Sequence, residues 1–386
     1  MESSPASRSV ARTSLNAAIS VLGLSAQQFA GFVITLLAAG FLSAAEYGVY
    51  TLAVVFVELV VMFAYTGFFH FVINSEAADD TVLPTMFWVM VGIGTVGGVL
   101  MIVCAGPVAT FFDAPNLAPV LLFFGLMQPF ASGISWASAY LTRSGLMRRY
   151  FLILIATNIC ALIAGGALLV FWQSLYALVV YRAVRLIIGL VLFGLAVPHL
   201  PRFRFDVPLF VRAWRYAVGL YGARILTFLS TFGADLVLAY VFTTAESGLY
   251  RFANRLALST VDIIAQPLRH FSLKAFGHAA RRNQPLTPVF CSFWSGMILF
   301  IGGSALTVGM FGSAVTGTFY QPEYLAAIRA IHAVLAIGSI LPVADFDGGV
   351  DLDVFEGAVA VVVDPGFDHA ASLGAIGGGL RVRTNQ

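Results

Sequence analysis

Long uninterrupted runs of apolar residues recur along this chain and constrain its fold more than any other feature. A run of about 20 such residues is long enough to cross a hydrocarbon core about 30 Å thick. Only 10% of the residues are charged, too few for a water-soluble fold. The runs show no period-two alternation, which predicts membrane-spanning helices rather than barrel strands. Ten such helices are predicted, at residues 15–43, 48–70, 85–106, 117–141, 151–171, 175–197, 215–243, 248–268, 289–312 and 324–343.

Basic residues are confined to alternate connections between these predicted helices. They precede helix 1, as Arg8 and Arg12, and they follow helices 4, 6 and 8, whereas the connections after odd-numbered helices contain none. By the positive-inside rule, this pattern predicts a cytoplasmic N-terminus. The connection after helix 2 instead carries Glu76, Asp79 and Asp80. Acidic residues contribute little to this rule, so the predicted orientation stands.

An internal repeat predicts the domain organisation. Residues 45–53 (AEYGVYTLA) recur as residues 245–253 (AESGLYRFA), with five of nine positions identical. A weaker similarity pairs residues 111–115 with residues 318–322. Six helices separate equivalent points, so the two repeats should have the same orientation and be related by an axis along the membrane normal. This predicts two helical-bundle lobes with a cavity between them.

The repeated motif suits an architectural role at the start of a helix. A carboxylate there interacts favourably with the helix dipole, and a glycine two residues later permits close packing. The residues to which we assign this role are Glu46, Gly48, Tyr50, Glu246, Gly248 and Tyr250.

The predicted lobes are of unequal size. The first comprises residues 1–205 with helices 1–6, and the second comprises residues 206–343 with helices 7–10, so the last helix pair of the second repeat is missing. Residues 344–386 hold seven of the 19 acidic residues and no apolar run long enough to span a membrane. Two interpretations remain open: a genuine cytoplasmic tail, or out-of-frame translation of a GC-rich gene. The second is supported by arginine usage, since Lys274 is the only lysine.

Charged residues inside the predicted spans indicate a water-filled interior. Each costs about 2.5–3.5 kcal/mol at a helix centre, so a lipid-facing position is expensive. Spacings of three and four residues place them on single helix faces. They are Arg182 and Arg185 on helix 6, Arg224 and Asp235 on helix 7 (with Thr227 and Thr231 on the same stripe), Arg251, Arg255 and Asp262 on helix 8, and Arg329 on helix 10.

The balance of these charges predicts an anionic ligand. Six arginines face three carboxylates, Glu58, Asp235 and Asp262. Arginine binds phosphate oxygens in pairs and does not deprotonate, so a phosphate or pyrophosphate is expected. In the alternative interpretation, Arg185 and Arg251 extend to the interface, or arginines form structural bridges with Asp235 and Asp262. The two aspartates are also candidates for a coupling proton or sodium ion.

Other chemistry is not indicated. The histidines and cysteines lack metal-ligand spacing, and no GxxxxGK[ST] loop is present. The sequence therefore predicts neither a metal centre, nor a cofactor, nor a nucleic-acid partner.

Three segments carry a family resemblance: residues 45–50 (AEYGVY), residues 172–179 (WQSLYALV) and residues 248–256 (GLYRFANRL). Over about residues 10–343, the chain resembles the polysaccharide-transport family of oligosaccharide flippases. Their superfamily also contains the lipid II flippase and the multidrug and toxin extrusion antiporters. The resemblance implies a non-enzymatic protein of the bacterial inner membrane. Such a protein moves an undecaprenyl-pyrophosphate-linked oligosaccharide between leaflets by alternating access. Its expected partners are this lipid-linked oligosaccharide, membrane lipids and other polysaccharide-assembly proteins.

With this ligand, the residues expected to hold the pyrophosphate are Arg182, Arg224, Arg251 and Arg255. Asp235 and Asp262 are expected to serve in coupling or gating. Three alternatives stay open: a multidrug antiporter, a truncated remnant without transport activity, and a membrane polymerase or ligase of the same pathway. The short predicted periplasmic connections disfavour the last.

Overall fold

The computed structural model describes residues 23, 26–198, 201–256, 295–296, 299, 303, 320 and 322–324, all within one compact unit, Met1–Ser339. Six of the described helices are long and apolar enough to cross a membrane by length and composition. The described residues contain no strand. The prediction of an all-α, multi-pass membrane protein is therefore confirmed. The helices are α1 (Ala26–Phe41), α2 (Ala44–Asn74), α3 (Asp79–Phe111), α4 (Leu117–Arg143), α5 (Met147–Trp172), α6 (Leu175–Ala196), α7 (Val207–Val241) and α8, described over 244–256.

Several helices begin before the predicted apolar runs, because polar groups at a helix start, and not hydropathy alone, determine where it begins. Helix α3 begins at Asp79, six residues before the predicted start, and Asp79 and Asp80 lie in its first turn. Carboxylates there favour the positive end of the helix dipole. Helix α7 likewise begins early, where the Asp206 carboxylate accepts a hydrogen bond from the Leu209 backbone N–H at 2.8 Å. The second half of predicted helix 8, most of predicted helices 9 and 10, and residues 344–386 lie outside the described residues.

Helix α2 is at the centre of the described bundle and packs on α3, α4, α6 and α7. Helices α3 and α4 approach closely at Gly98, where an added Cβ would overlap the Gly125 carbonyl oxygen. In a membrane the hydrophobic effect does not drive helices together, because lipid tails are as apolar as the helix surfaces. Helices associate instead through close packing, which small residues such as glycine permit. Two apolar clusters fill the interior, one around Phe68, Met90 and Trp136 and the other around Leu52 and Phe124.

The two copies of the repeated motif begin α2 and α8 in the same way. In the first copy, the Glu46 backbone N–H donates to the Ser43 hydroxyl and the Ser43 N–H donates to the Glu46 carboxylate. In the second, Thr243 and Glu246 exchange the same pair of bonds. This reciprocal capping satisfies donors that a helix start leaves free.

The two helix starts also contact each other. A Cβ on Gly48 would overlap the Thr244 carbonyl oxygen, and a Cβ on Gly248 would lie 2.9 Å from the Gly48 Cα. Only glycine permits this approach. Two further residues of the second half of the chain contact the start of α2. The Ala44 N–H donates to the Glu323 carboxylate, and the buried Tyr324 hydroxyl donates to the Leu42 carbonyl. The repeat symmetry itself stays a prediction.

Replacing Gly48 with alanine should destabilise the protein by about 1–3 kcal/mol, the usual cost of overpacking a close contact. The matched control is Gly106→Ala on α3, where an added Cβ meets nothing within 4 Å. There alanine should be neutral or stabilising, because it favours the helix by up to about 1 kcal/mol. Thermal unfolding of the purified proteins measures both. Equal stability of the two variants would contradict the close approach of α2 and α8.

Candidate functional site

A cavity of about 570 Å³ with a mixed polar and apolar lining lies among α1, α2, α4, α5, α6, α7 and α8. Of the described residues that line it, five are charged: Glu58 of α2, Arg182 and Arg185 of α6, and Arg251 and Arg255 of α8. The arginines of α6 belong to the first predicted lobe and those of α8 to the second. The cavity therefore collects cationic side chains from both predicted lobes.

Arg251 forms a buried ion pair within the second predicted lobe. Its Nη1 donates to Asp235 Oδ2 at 2.8 Å, and the two side chains are 12% and 2% exposed. The same nitrogen donates to the Thr231 carbonyl at 3.3 Å, and the guanidinium lies over the Phe232 ring, 4.6 Å from its centroid. Backbone, carboxylate and ring together fix this arginine in place.

Arg182 forms a more accessible ion pair within the first predicted lobe. Its Nη2 donates to Glu58 Oε1 at 2.9 Å, and the side chains are 26% and 36% exposed. The guanidinium lies 5.5 Å from the centroid of the Phe124 ring. Both members of this pair line the cavity.

Arg255 and Arg185 line the same cavity and form no ion pair with any residue that the structure describes. The Arg255 guanidinium lies against α1, because a Cβ on Gly31 would overlap its Nη2. Arg185 follows Arg182 by three residues and so lies on the same face of α6. No described residue forms an ion pair with either arginine, so with respect to the described part of the chain both can donate to an anion.

Of the predicted site residues that the structure describes, Arg224 and Asp235 do not line the cavity. Arg224 is exposed on α7 and is not among the lining residues. Its neighbours Thr227 and Thr231 donate to carbonyls of their own helix, those of Ala223 and Thr227. Asp262 lies outside the described residues. The structure thus brings together Arg182, Arg251 and Arg255 and places Arg224 apart from them.

One carboxylate oxygen of Asp235 has no hydrogen-bond partner among the described residues. Its Oδ1 is buried and accepts no hydrogen bond from any described residue, while Oδ2 binds Arg251. A role in coupling or gating stays a prediction for this residue. No group of three or more His, Cys, Asp or Glu side chains that could hold a metal ion occurs in the described part of the chain.

The cavity also contains polar residues that the sequence did not assign to a ligand site; Tyr50 was assigned only an architectural role. Tyr47 and Tyr50 of the repeated motif line it, as do Gln27 and Gln28 of α1. The glutamine pair interrupts an otherwise apolar run, which was the available signal. The tyrosines gave no such signal, because aromatic residues are common in membrane helices and at their interfaces.

Comparison with known proteins gives concordant findings. A family model described as polysaccharide biosynthesis protein matches residues 37–329. The amylovoran biosynthesis protein AmsL of Erwinia amylovora is 21% identical over 284 residues, which cover 72% of this chain and 73% of that relative. The succinoglycan biosynthesis transport protein ExoT of Rhizobium meliloti (strain 1021) is 26% identical over 263 residues. That match covers 66% of this chain and 52% of the relative, about half its length.

Proposed function

The chain belongs to the polysaccharide biosynthesis protein family, and on that premise we propose that it is a flippase for undecaprenyl-pyrophosphate-linked oligosaccharide. In this proposal it moves the lipid-linked sugar between leaflets of the bacterial inner membrane by alternating access, with no covalent chemistry. Its N-terminus is cytoplasmic. The name of one relative, a succinoglycan biosynthesis transport protein, supports transport rather than catalysis.

The cationic cavity is the observation that carries the proposal. Four arginines against Glu58 and Asp235 leave two positive charges, which matches a pyrophosphate diester with one ionised oxygen on each phosphate. Arginine can bind such oxygens in pairs. The volume of about 570 Å³ falls within the range of about 300–1,000 Å³ of small-molecule sites. It would accommodate the headgroup while the polyprenyl chain stays in lipid.

We propose that Arg182, Arg251 and Arg255 hold the pyrophosphate. Because these arginines come from both predicted lobes, one headgroup can bridge the lobes. Residues 1–205 and 206–343 then act as the two moving bodies, and the contact between Gly48 and Gly248 must part when the carrier opens at that end. The same cationic surplus disfavours the multidrug antiporter alternative, because cationic drugs require an acidic interior.

Deleting the gene in its bacterial host should cause lipid-linked oligosaccharide to accumulate on the cytoplasmic face of the inner membrane. The reason is that polar sugars do not cross the hydrocarbon core unaided. The measurement is the fraction of lipid-linked sugar that a membrane-impermeant oxidant labels in spheroplasts, which should fall to background and recover on complementation. Normal labelling with shortened polymer would contradict transport and indicate a polymerase instead.

A further inference from the structure

Glu58 is the one carboxylate among the described residues that line the cavity, and a pyrophosphate site has no direct use for a carboxylate. We infer that Glu58 is a built-in competitor that occupies Arg182 when the cavity is empty, so that pyrophosphate displaces it and a single phosphate does not. Glu58 then determines the charge of the ligand that the carrier accepts. This inference rests on the proposed function.

The contact between Glu58 and Arg182 has the geometry of a displaceable pair. A single hydrogen bond of 2.9 Å joins the two side chains, of which 36% and 26% remain exposed. The Asp235–Arg251 pair differs, with side chains only 2% and 12% exposed. Ion pairs that water can reach are weaker than sequestered ones, because water competes for both partners. A ligand that enters the cavity can therefore break the first pair and not the second.

Arg182 keeps its position when Glu58 leaves. Its guanidinium lies 5.5 Å from the Phe124 ring centroid, a cation–π distance, and Phe124 is almost fully buried in the bundle. The donors that Glu58 vacates are then already directed for a phosphate oxygen. Pre-oriented donors reduce the entropic cost of binding.

The displaced carboxylate has a second cation within the same cavity. Arg185 lies three residues beyond Arg182 on the same face of α6 and has no ion-pair partner in the described part of the chain. Glu58 can therefore move from one arginine to the next without becoming an unpaired charge inside the membrane, which would be costly. This exchange makes the displacement reversible.

The exchange also explains the discrimination by charge. A single phosphate that binds Arg182 only replaces the Glu58 carboxylate, so little binding free energy is gained. A pyrophosphate reaches Arg182 with one phosphate and the arginines of α8 with the other, so it gains contacts that Glu58 cannot offer. Removal of the Glu58 charge should therefore help the smaller anion more than the larger one.

The test is calorimetric titration of the purified full-length protein with inorganic pyrophosphate and, separately, with inorganic phosphate. In Glu58→Gln, pyrophosphate should bind about tenfold more tightly, as expected on loss of a competing charge-assisted hydrogen bond. Phosphate should gain by a larger factor, so that the preference for pyrophosphate falls. Glu58→Asp keeps the charge with a shorter reach and should give values between those of wild type and Glu58→Gln. It carries the test if Glu58→Gln does not fold.

The matched control is Glu76→Gln, which removes an exposed carboxylate outside the cavity and should leave both affinities unchanged. Unchanged or weaker pyrophosphate binding in Glu58→Gln or Glu58→Asp, with binding intact in wild type and lost in Arg182→Ala, would overturn the role of Glu58 and leave the proposed function standing. Absence of pyrophosphate binding in wild type would overturn both.

Discussion

Replacing Arg251 with alanine should lower the free energy of unfolding by about 3–5 kcal/mol, because it leaves Asp235 as an uncompensated buried charge. The Asp235 side chain is 2% exposed, and Arg251 Nη1 is the only donor that the described residues offer its carboxylate. Thermal unfolding of the purified protein and its abundance in membranes measure the effect. Both the unfolding temperature and the abundance in membranes should fall sharply.

A double variant separates the structural role of this pair from its role in transport. Replacing a buried ion pair by apolar residues of similar volume is often neutral or stabilising, so Arg251→Met with Asp235→Leu should restore stability and abundance. Export should remain lost, because Arg251 lines the cavity. A stable single variant would contradict the structural role, and an exporting double variant would contradict the role in binding.

The apolar runs were sufficient to predict the number and type of the described spans but not their ends. Helix α2 runs from Ala44 to Asn74 where the run predicts 48–70. Hydropathy reports the part of a helix that crosses hydrocarbon. The ends depend instead on local hydrogen bonds, here those between Ser43 and Glu46. A capping box is visible in the sequence, and it would have extended the prediction correctly at this end.

Helical phase predicted part of the site and could not predict the rest. Arg182 and Arg185 share a face and both line the cavity. The stripe on α7 is different, since Arg224 is exposed while Asp235 is buried. Periodicity groups residues on one face of a helix, but the neighbour that this face meets depends on tertiary packing. For the same reason, the repeated motif predicted two similar helix starts but could not predict that they contact each other at Gly48 and Gly248.

The identity of ion-pair partners also lay beyond the sequence. Bridges to Asp235 were one of two interpretations for the arginines, and sequence alone could not decide between them. Arg251 does bind Asp235, yet it also lines the cavity, so the two interpretations hold together for this residue. Glu58 was counted only as a counter-charge. Its contact with Arg182 joins residues 124 positions apart, a separation that no helical spacing reports.

Replacing Arg255 with alanine should abolish export while costing less than about 1 kcal/mol in stability. It loses a cavity-lining cation but leaves no buried partner unpaired among the described residues. Lysine at this position should restore only part of the activity, because it cannot bind phosphate oxygens in pairs. Export and thermal unfolding are measured together. The matched control, Arg212→Ala, removes an exposed arginine of α7 outside the cavity and should leave both unchanged.

A second variant tests the position of this arginine without removing its charge. The Arg255 guanidinium occupies the space that a side chain on Gly31 would need, so Gly31→Leu should displace it and impair export although every arginine remains. Gly222→Leu on α7, where an added Cβ meets nothing within 4 Å, controls for the added bulk. Normal export in Gly31→Leu together with loss in Arg255→Ala would mean that the charge of Arg255 matters and its placement against α1 does not. The ligand would then be held by a diffuse cationic field, and not by donors fixed in the geometry described.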